Sequence, residues 1–321
     1  MQNENPRGKS YKGSIILCGI LASALMLVSF VMALSNFSAP AEISESYYES
    51  IEDQTSEVSE YESIVINEPD EYKYYNNLQF ERQPYSNSLV ANGSLAVINQ
   101  TTTKFPIIDE SNIVNIGTAK TPGVYGLANM SLVMYEEAIS NIDKFVVSFY
   151  DQVPSNGLII NKGYVASSSV SSSETAVDLV TGYSVQFSIY NSSYKFSDNE
   201  FAYLREQAYK YGVIQRYPNG KDNYTGHSND NTIYRYVGFP HSMYMNHYML
   251  SLEEYLDRIR TYKVIEYESE LETDTVYVVY YVPLEESTGT TYVDVPVGDN
   301  VSYTVSGDGD RGFVVTVKIQ Q

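Results

Sequence analysis

Three histidines, one cysteine and forty acids are the stock of metal-binding side chains in this 321-residue chain. Cys18 lies in an apolar run near the N-terminus, so neither an internal disulfide nor a multi-thiolate metal site can form. The stretch richest in chemistry is 208–238, AYKYGVIQRYPNGKDNYTGHSNDNTIYRYVG. It begins as a helix end, turns into a strand, crosses a polar loop carrying His227 and Asp230, and returns as the strand IYRYVG. Two aromatic strands joined by a loop with carboxylate and imidazole groups make a floor and lip for a site. Glu174, Asp178, His227 and Asp230 could converge as a metal-ligand set. Against that, Glu174 reads equally as a turn residue and His227 as a solvated loop histidine, and scattered loop carboxylates rarely assemble a ligand set. Arg216 and Lys221 could hold a ligand carboxylate, or Arg216 could simply pair with a nearby acid. Tyr164, Tyr217, Tyr234 and Tyr236 could line a groove, although tyrosines at strand spacing are more often half-buried packing residues. Asp308, Gly309 and Asp310 read as a hairpin loop rather than a calcium turn, since no matching acidic ligand set follows.

The elements that must position these residues follow from periodicity. Tyr135, Ala138, Ile139, Ile142, Phe145, Val146 and Phe149 recur at helical spacing and predict an amphipathic helix over 131–150. GSLAVINQ at 93–100 and Leu158–Asn161 read as strands. TAVDLV and YSVQFSIY read as two strands on a turn at Thr181 and Gly182. Ser197 to Glu200 and Ser251 to Glu254 form capping boxes before two further helices, the first stopping at Gly212. The last sixty or so residues alternate or run apolar between Gly/Asp turns, as a small β unit does.

Charge divides the chain. The 21 uncharged apolar residues 14–34 match the length of a bilayer-spanning helix. Arg7, Lys9 and Lys12 precede them and acids follow, which predicts a single-pass anchor with its N-terminus in the cytoplasm. A cleaved signal is the alternative, with a small-residue site at Ala39-Pro40-Ala41. Residues 42–71 hold eleven acids and no base, a composition that stays extended rather than packing. Residues 72–321 hold 28 acids and 17 bases, and no basic stripe is present, which excludes nucleic acid as a partner. The expected organisation is a cytoplasmic tail (1–13), a transmembrane anchor (14–34), an acidic stalk (35–77), a core domain (78–262) and a C-terminal β-rich appendage (263–321).

The text AYKYGVIQRYPNGKDNYTG, then YRYVG, then HSMYMNHYMLSLEEYL resembles VanY-type D-alanyl-D-alanine carboxypeptidases, zinc peptidases that trim peptidoglycan stem peptides. The resemblance covers roughly 90–321. It implies an α+β fold: a D-Ala-D-Ala carboxypeptidase-like core, a small antiparallel sheet with packed helices, with a β unit appended as in some relatives. In the family, S-x-H-x-x-G-x-A-x-D supplies a His and an Asp to zinc, and E-P-W-H supplies a second His and a general-base Glu. Three ligands leave zinc an open position for the water whose proton the Glu removes. Here Ala176, Val177 and Asp178 match the end of the first motif, which puts Ser171 at its His position. The run Tyr234 to Gly238 fixes the second, which puts Ile233 at the His position and Asp230 at the Glu position. The family's S-G-Y-R-S turn, whose Arg is expected to meet the substrate carboxylate, reads Lys162, Gly163, Tyr164, Val165. His241 and His247 fall at positions that belong to packing in relatives.

One retained ligand, Asp178, cannot hold zinc against water. The resemblance therefore implies a member without zinc hydrolysis and without an expected cofactor, bound to the bacterial cell membrane with its domain outside. Asp230 would be its remnant base, and Tyr164, Arg216 and Tyr236 its groove. Its partners would be a peptidoglycan stem peptide or an envelope protein. Two other readings stay open: an active D,D-carboxypeptidase with an atypical metal site, and a structural module whose β tail does the interacting.

Overall fold

The computed structural model describes residues 72–99, 104–153, 157–170, 177–189 and 198–321, with only the backbone of 198–202. All of them belong to one compact unit, Val65–Gln321. The expected anchor 14–34, the stalk up to residue 71, Ser171, Glu174 and the Ser197 cap lie outside the described residues. No helix among the described residues is long and apolar enough to cross a membrane.

The strands are β1 (Gln79–Ser86), β2 (Ile113–Asn115), β3 (Gly126–Leu127), β4 (Val133–Tyr135), β5 (Leu158–Lys162), β6 (Ser184–Ile189), β7 (Val213–Tyr217) and β8 (Asp230–Tyr236), followed by β9 (Val264–Glu268), β10 (Thr275–Pro283), β11 (Thr290–Val297), β12 (Val301–Gly307) and β13 (Gly312–Gln320). The main helices are α1 (Glu136–Gln152), α2 (Asp198–Ala208), α3 (His241–His247) and α4 (Leu252–Tyr262). A five-stranded sheet runs β3-β5-β6-β8-β7, and a four-stranded sheet runs β12-β13-β10-β9. The larger sheet is mixed, because β3 pairs parallel with β5 while the other pairs are antiparallel. This corrects the expectation of a wholly antiparallel core sheet.

The larger sheet has two unlike faces. Ala138, Ile142, Phe145 and Phe149 of α1 bury against Leu158, Ile160, Val185, Phe187, Tyr234 and Tyr236. These strand residues come from alternate positions, as the two-residue period requires. The helix itself starts five residues later than the periodicity suggests. Val133–Tyr135 pair with β2 instead, and Glu136 and Glu137 then occupy the first helical turn, where acids complement the helix dipole. The opposite face carries Ser184, Gln186, Ile233 and Arg235, and it faces the candidate site.

Two expected strands are absent among the described residues. Val177–Thr181 forms a 3-10 turn, closed by Gly182 at φ 76°, and only the second half of the predicted hairpin is a strand. Residues 93–99 make no ladder. They form a turn at 93–95 followed by an irregular strip against the β12–β13 hairpin, with Val97 N donating to the Asp308 carbonyl and Leu95 N to Ser306 Oγ.

The N-terminal end of the described chain packs with the C-terminal end. All eight residues of β1 pair with β11, from Gln79 opposite Val297 to Ser86 opposite Thr290. Tyr72, which falls in the expected stalk, is buried among Val278, Tyr280, Val293 and Val315. His241 ties α3 to its neighbours, with Nδ1 2.6 Å from Tyr255 Oη of α4 and Nε2 2.9 Å from Thr316 Oγ1 of β13.

Candidate functional site

Three elements bring charge to the polar face of the larger sheet. The 3-10 turn 177–181 presents Asp178, β8 presents Arg235, and β7 presents Arg216. A register shift between Gln215 and Tyr217 interrupts the β7–β8 ladder. Such a bulge re-aims side chains, and here both Arg216 and the adjacent Tyr217 lie on the site side. Tyr217 packs with Leu179 and Ile233, and its ring centre is 4.8 Å from the Arg216 guanidinium carbon.

Asp178 is fully buried, as are both arginine side chains. Its Oδ1 accepts from Arg216 Nε at 2.9 Å and from Arg235 Nη1 at 2.7 Å, and its Oδ2 from Ser184 Oγ at 2.5 Å. Arg216 continues to Glu253 at the start of α4, through Nη2 at 2.6 Å and Nη1 at 3.2 Å. Arg235 also donates to the carbonyls of Ser94 and Ala96, which ties that turn to the cluster. Two cations and two carboxylates thus neutralise one another, with only Glu253 partly exposed to water. Burial alone would raise the Asp178 carboxyl, but Arg235 and Arg216 more than offset it and hold it below its ordinary range. Burial would lower Arg216, and Glu253 and Asp178 raise it well above the usual value.

The other expected residues are placed as follows. Ile233 is buried against Leu179 and Tyr217. Asp230 is half-buried and turned back along its own strand, accepting from Thr232 N at 2.8 Å and Thr232 Oγ1 at 2.6 Å. His227 stacks on Tyr217 with ring centres 4.0 Å apart. Its Nδ1 lies 2.6 Å from the Ser228 carbonyl, so Nδ1 carries the proton and donates. Its Nε2 is buried without a hydrogen-bond partner among the described residues.

The expected groove of Tyr164, Arg216 and Tyr236 is not assembled. Tyr236 lies on the opposite, helix-packed face and donates to Glu137 Oε1 of α1 at 2.8 Å. Arg216 is sealed by Asp178 and Glu253, and Lys221 pairs with Glu254 at 2.8 Å. Tyr164 is half-buried, with its backbone N donating to the Val133 carbonyl. The alternation of β8 explains the split: Tyr234 and Tyr236 share one face, Ile233 and Arg235 the other. Arg235 could have been placed from that alternation. Ser184 and Glu253 carried no sequence signal, because their roles depend on contacts across the fold.

The described residues do not fit a zinc ion. The retained carboxylate spends both oxygens on two guanidiniums and a hydroxyl. Ile233, at the position the resemblance gives to a ligand His, is a buried apolar side chain that offers no lone pair. No three His, Cys, Asp or Glu side chains converge among the described residues. Asp308 is also no cation ligand. Its Oδ1 accepts from the backbone N of Asp310, Arg311 and Gly312, and its Oδ2 from Arg260 and Tyr281.

No protein-family model matches the chain. A D-alanyl-D-alanine carboxypeptidase of Enterococcus faecium is 32% identical over 242 residues, covering 71% of this chain and 76% of that protein. The bifunctional D-Ala-D-Ala dipeptidase and carboxypeptidase VanXYC of Enterococcus gallinarum is 35% identical over 103 residues, covering 32% of this chain and 54% of that protein. Among solved structures, the vancomycin-resistance D,D-dipeptidase VanXYg, in complex with a D-Ala-D-Ala phosphinate analogue, superposes with a TM-score of 0.59 at 21% identity. It covers 75% of this chain and 99% of that one, and it shares the fold. The order and spacing of the 208–238 text agree with the similarity across 242 residues: this chain belongs to the family of VanY-type D-alanyl-D-alanine carboxypeptidases.

Proposed function

We propose that this chain is a VanY-type domain that has lost zinc hydrolysis and keeps a binding or scaffolding role at the peptidoglycan. Residues 14–34 hold it in the bacterial cell membrane, with the N-terminus in the cytoplasm and the domain outside. The supporting observation is Asp178, locked between Arg216 and Arg235 on a face where Ile233 replaces a nitrogen ligand. Opening that cluster to admit a metal would strand a buried guanidinium, at a cost of roughly 3–5 kcal/mol. The partner is a stem peptide ending in D-Ala-D-Ala or an envelope protein. By its composition the domain repels nucleic acid.

The test is metal analysis of the purified full-length chain, together with D-alanine release from a D-Ala-D-Ala peptide. The expected result is no stoichiometric zinc and no metal-dependent release. Stoichiometric zinc with release would establish the second reading, an active carboxypeptidase with an atypical site. The unpartnered Nε2 of His227 is the one observation that favours it. A stem-peptide titration then separates a binding domain from a purely structural module, which would show no saturation.

A further inference from the structure

A cleft of about 330 Å³ opens between α4, the turn joining β12 to β13, and Tyr224. It adjoins the Asp178 cluster through Glu253, and its lining is mostly polar and charged. Its bases are Lys104, Arg260 and Arg311, and its acids are Asp257, Asp308, Asp310 and Glu253. Glu253 is committed to Arg216 on its far side. The remaining three acids balance the three bases, and most are already engaged with one another. Arg260 holds Asp257 at 2.7 Å and Asp308 at 2.8 Å. Arg311 lies 3.8 Å from both Asp257 and Asp310.

That pairing decides what the cleft can take. An ion would have to separate existing pairs, and a free anion would also approach a chain of net charge −20 against its field. An apolar ligand would strip water from carboxylates and guanidiniums without replacing their hydrogen bonds. An uncharged polyol meets neither cost. Ion-paired Asp and Arg groups keep lone pairs and N–H groups in fixed planes, which hydroxyls can bridge. Tyr224, 56% exposed at the wall, supplies an apolar ring face for the C–H side of a sugar. We propose that this cleft binds an uncharged pyranose unit of a polysaccharide, with Tyr224 as the stacking platform and the Asp257–Arg260 and Arg311 groups as hydroxyl partners. The proposal does not depend on the loss of hydrolysis, since a chain that released D-alanine could carry the same cleft.

The test is calorimetric titration of the full-length chain with cellotriose, with tri-N-acetylchitotriose and with the zwitterion D-alanyl-D-alanine. Hydroxyl groups exchange water for protein, so the expected sugar affinity is modest, with Kd on the order of 1 mM. Tyr224→Ala should weaken it by at least about tenfold, and Tyr224→Phe, which keeps the ring, by less than about threefold. Asp257→Ala should weaken it similarly to Tyr224→Ala. Both side chains are mostly solvent-exposed, so thermal unfolding midpoints should stay unchanged. Absence of saturation by both sugars up to about 20 mM overturns the proposal. So does sugar binding that survives Tyr224→Ala, or binding at this cleft by the zwitterion alone. Because D-alanine release is not the readout, failure here leaves the reading of the Asp178 face standing.

Discussion

Asp178 spends both of its carboxylate oxygens on neighbouring side chains of the fold. Its carboxylate is the shared acceptor of two buried guanidiniums, and removing its charge leaves Arg235 without a counter-ion beside Arg216, which keeps only Glu253. Asp178→Asn should therefore destabilise the fold by roughly 3–5 kcal/mol, read as a lowered urea midpoint with an unchanged slope. Glu253→Gln, at the partly exposed end of the chain of ion pairs, should cost clearly less. If both variants unfold at the wild-type midpoint, the cluster carries no stability. The motif text singles out Asp178 through Ala176-Val177-Asp178, and Ile233 and Asp230 by counting back from YRYVG. It could not show that Asp230 folds back onto Thr232, or that Arg216 points inward. Those facts depend on a bulge and on a helix start 37 residues away in the chain.

Elements were legible where one local rule governs them. The Ser251–Glu254 capping box forms with both of its reciprocal bonds, and Gly212 stops its helical segment at φ 71°. They were misread where a tertiary demand overrides the pattern. TAVDLV has strand composition, yet Val177–Thr181 forms a 3-10 turn that brings Asp178 to two arginines. His241 on α3 is another long-range demand, and it makes a pH prediction. Burial pushes its imidazole down to about 3 from 6.5. Between those values the unfolded chain holds a proton that the folded chain refuses. This contribution is complete above the unfolded value of 6.5 and is lost as pH falls toward 3. From pH 7.5 to 5.5 the loss should be about 1.4 kcal/mol. The carboxyls of Asp178, Asp308, Glu254 and Glu272 are all held below their usual range, so they act only at lower pH. Urea titrations at the two pH values measure the slope, and His241→Gln should abolish that share of it while lowering stability at both. A slope unchanged by the substitution would show that another group titrates.

Across the whole described molecule, the C-terminal strands are built into the core's support rather than hung from it. β1 is completed by β11, Arg235 holds the carbonyls of the 93–96 strip, and that strip lies against the β12–β13 turn. The sequence alone suggested a boundary near residue 262, because composition shifts there from mixed to β-patterned. Composition cannot reveal that a strand from residue 79 onward pairs with one ending at residue 297. The contact is tight enough to admit only glycine. A Cβ on Gly307 would lie 1.9 Å from the Val90 carbonyl oxygen, and one on Gly309 would lie 2.2 Å from that of Val97, at a backbone φ of +101°. Gly309→Ala must therefore both adopt a conformation unfavourable to L-residues and push the strip away. A destabilisation of about 2 kcal/mol or more is expected. Because the strip is tied to Arg235, hydrogen exchange should quicken at the amides of 94–97 and also along β8 and the 177–181 turn. Exchange that quickens only within β10–β13 would mean that the β unit opens by itself and that the ion cluster does not depend on it.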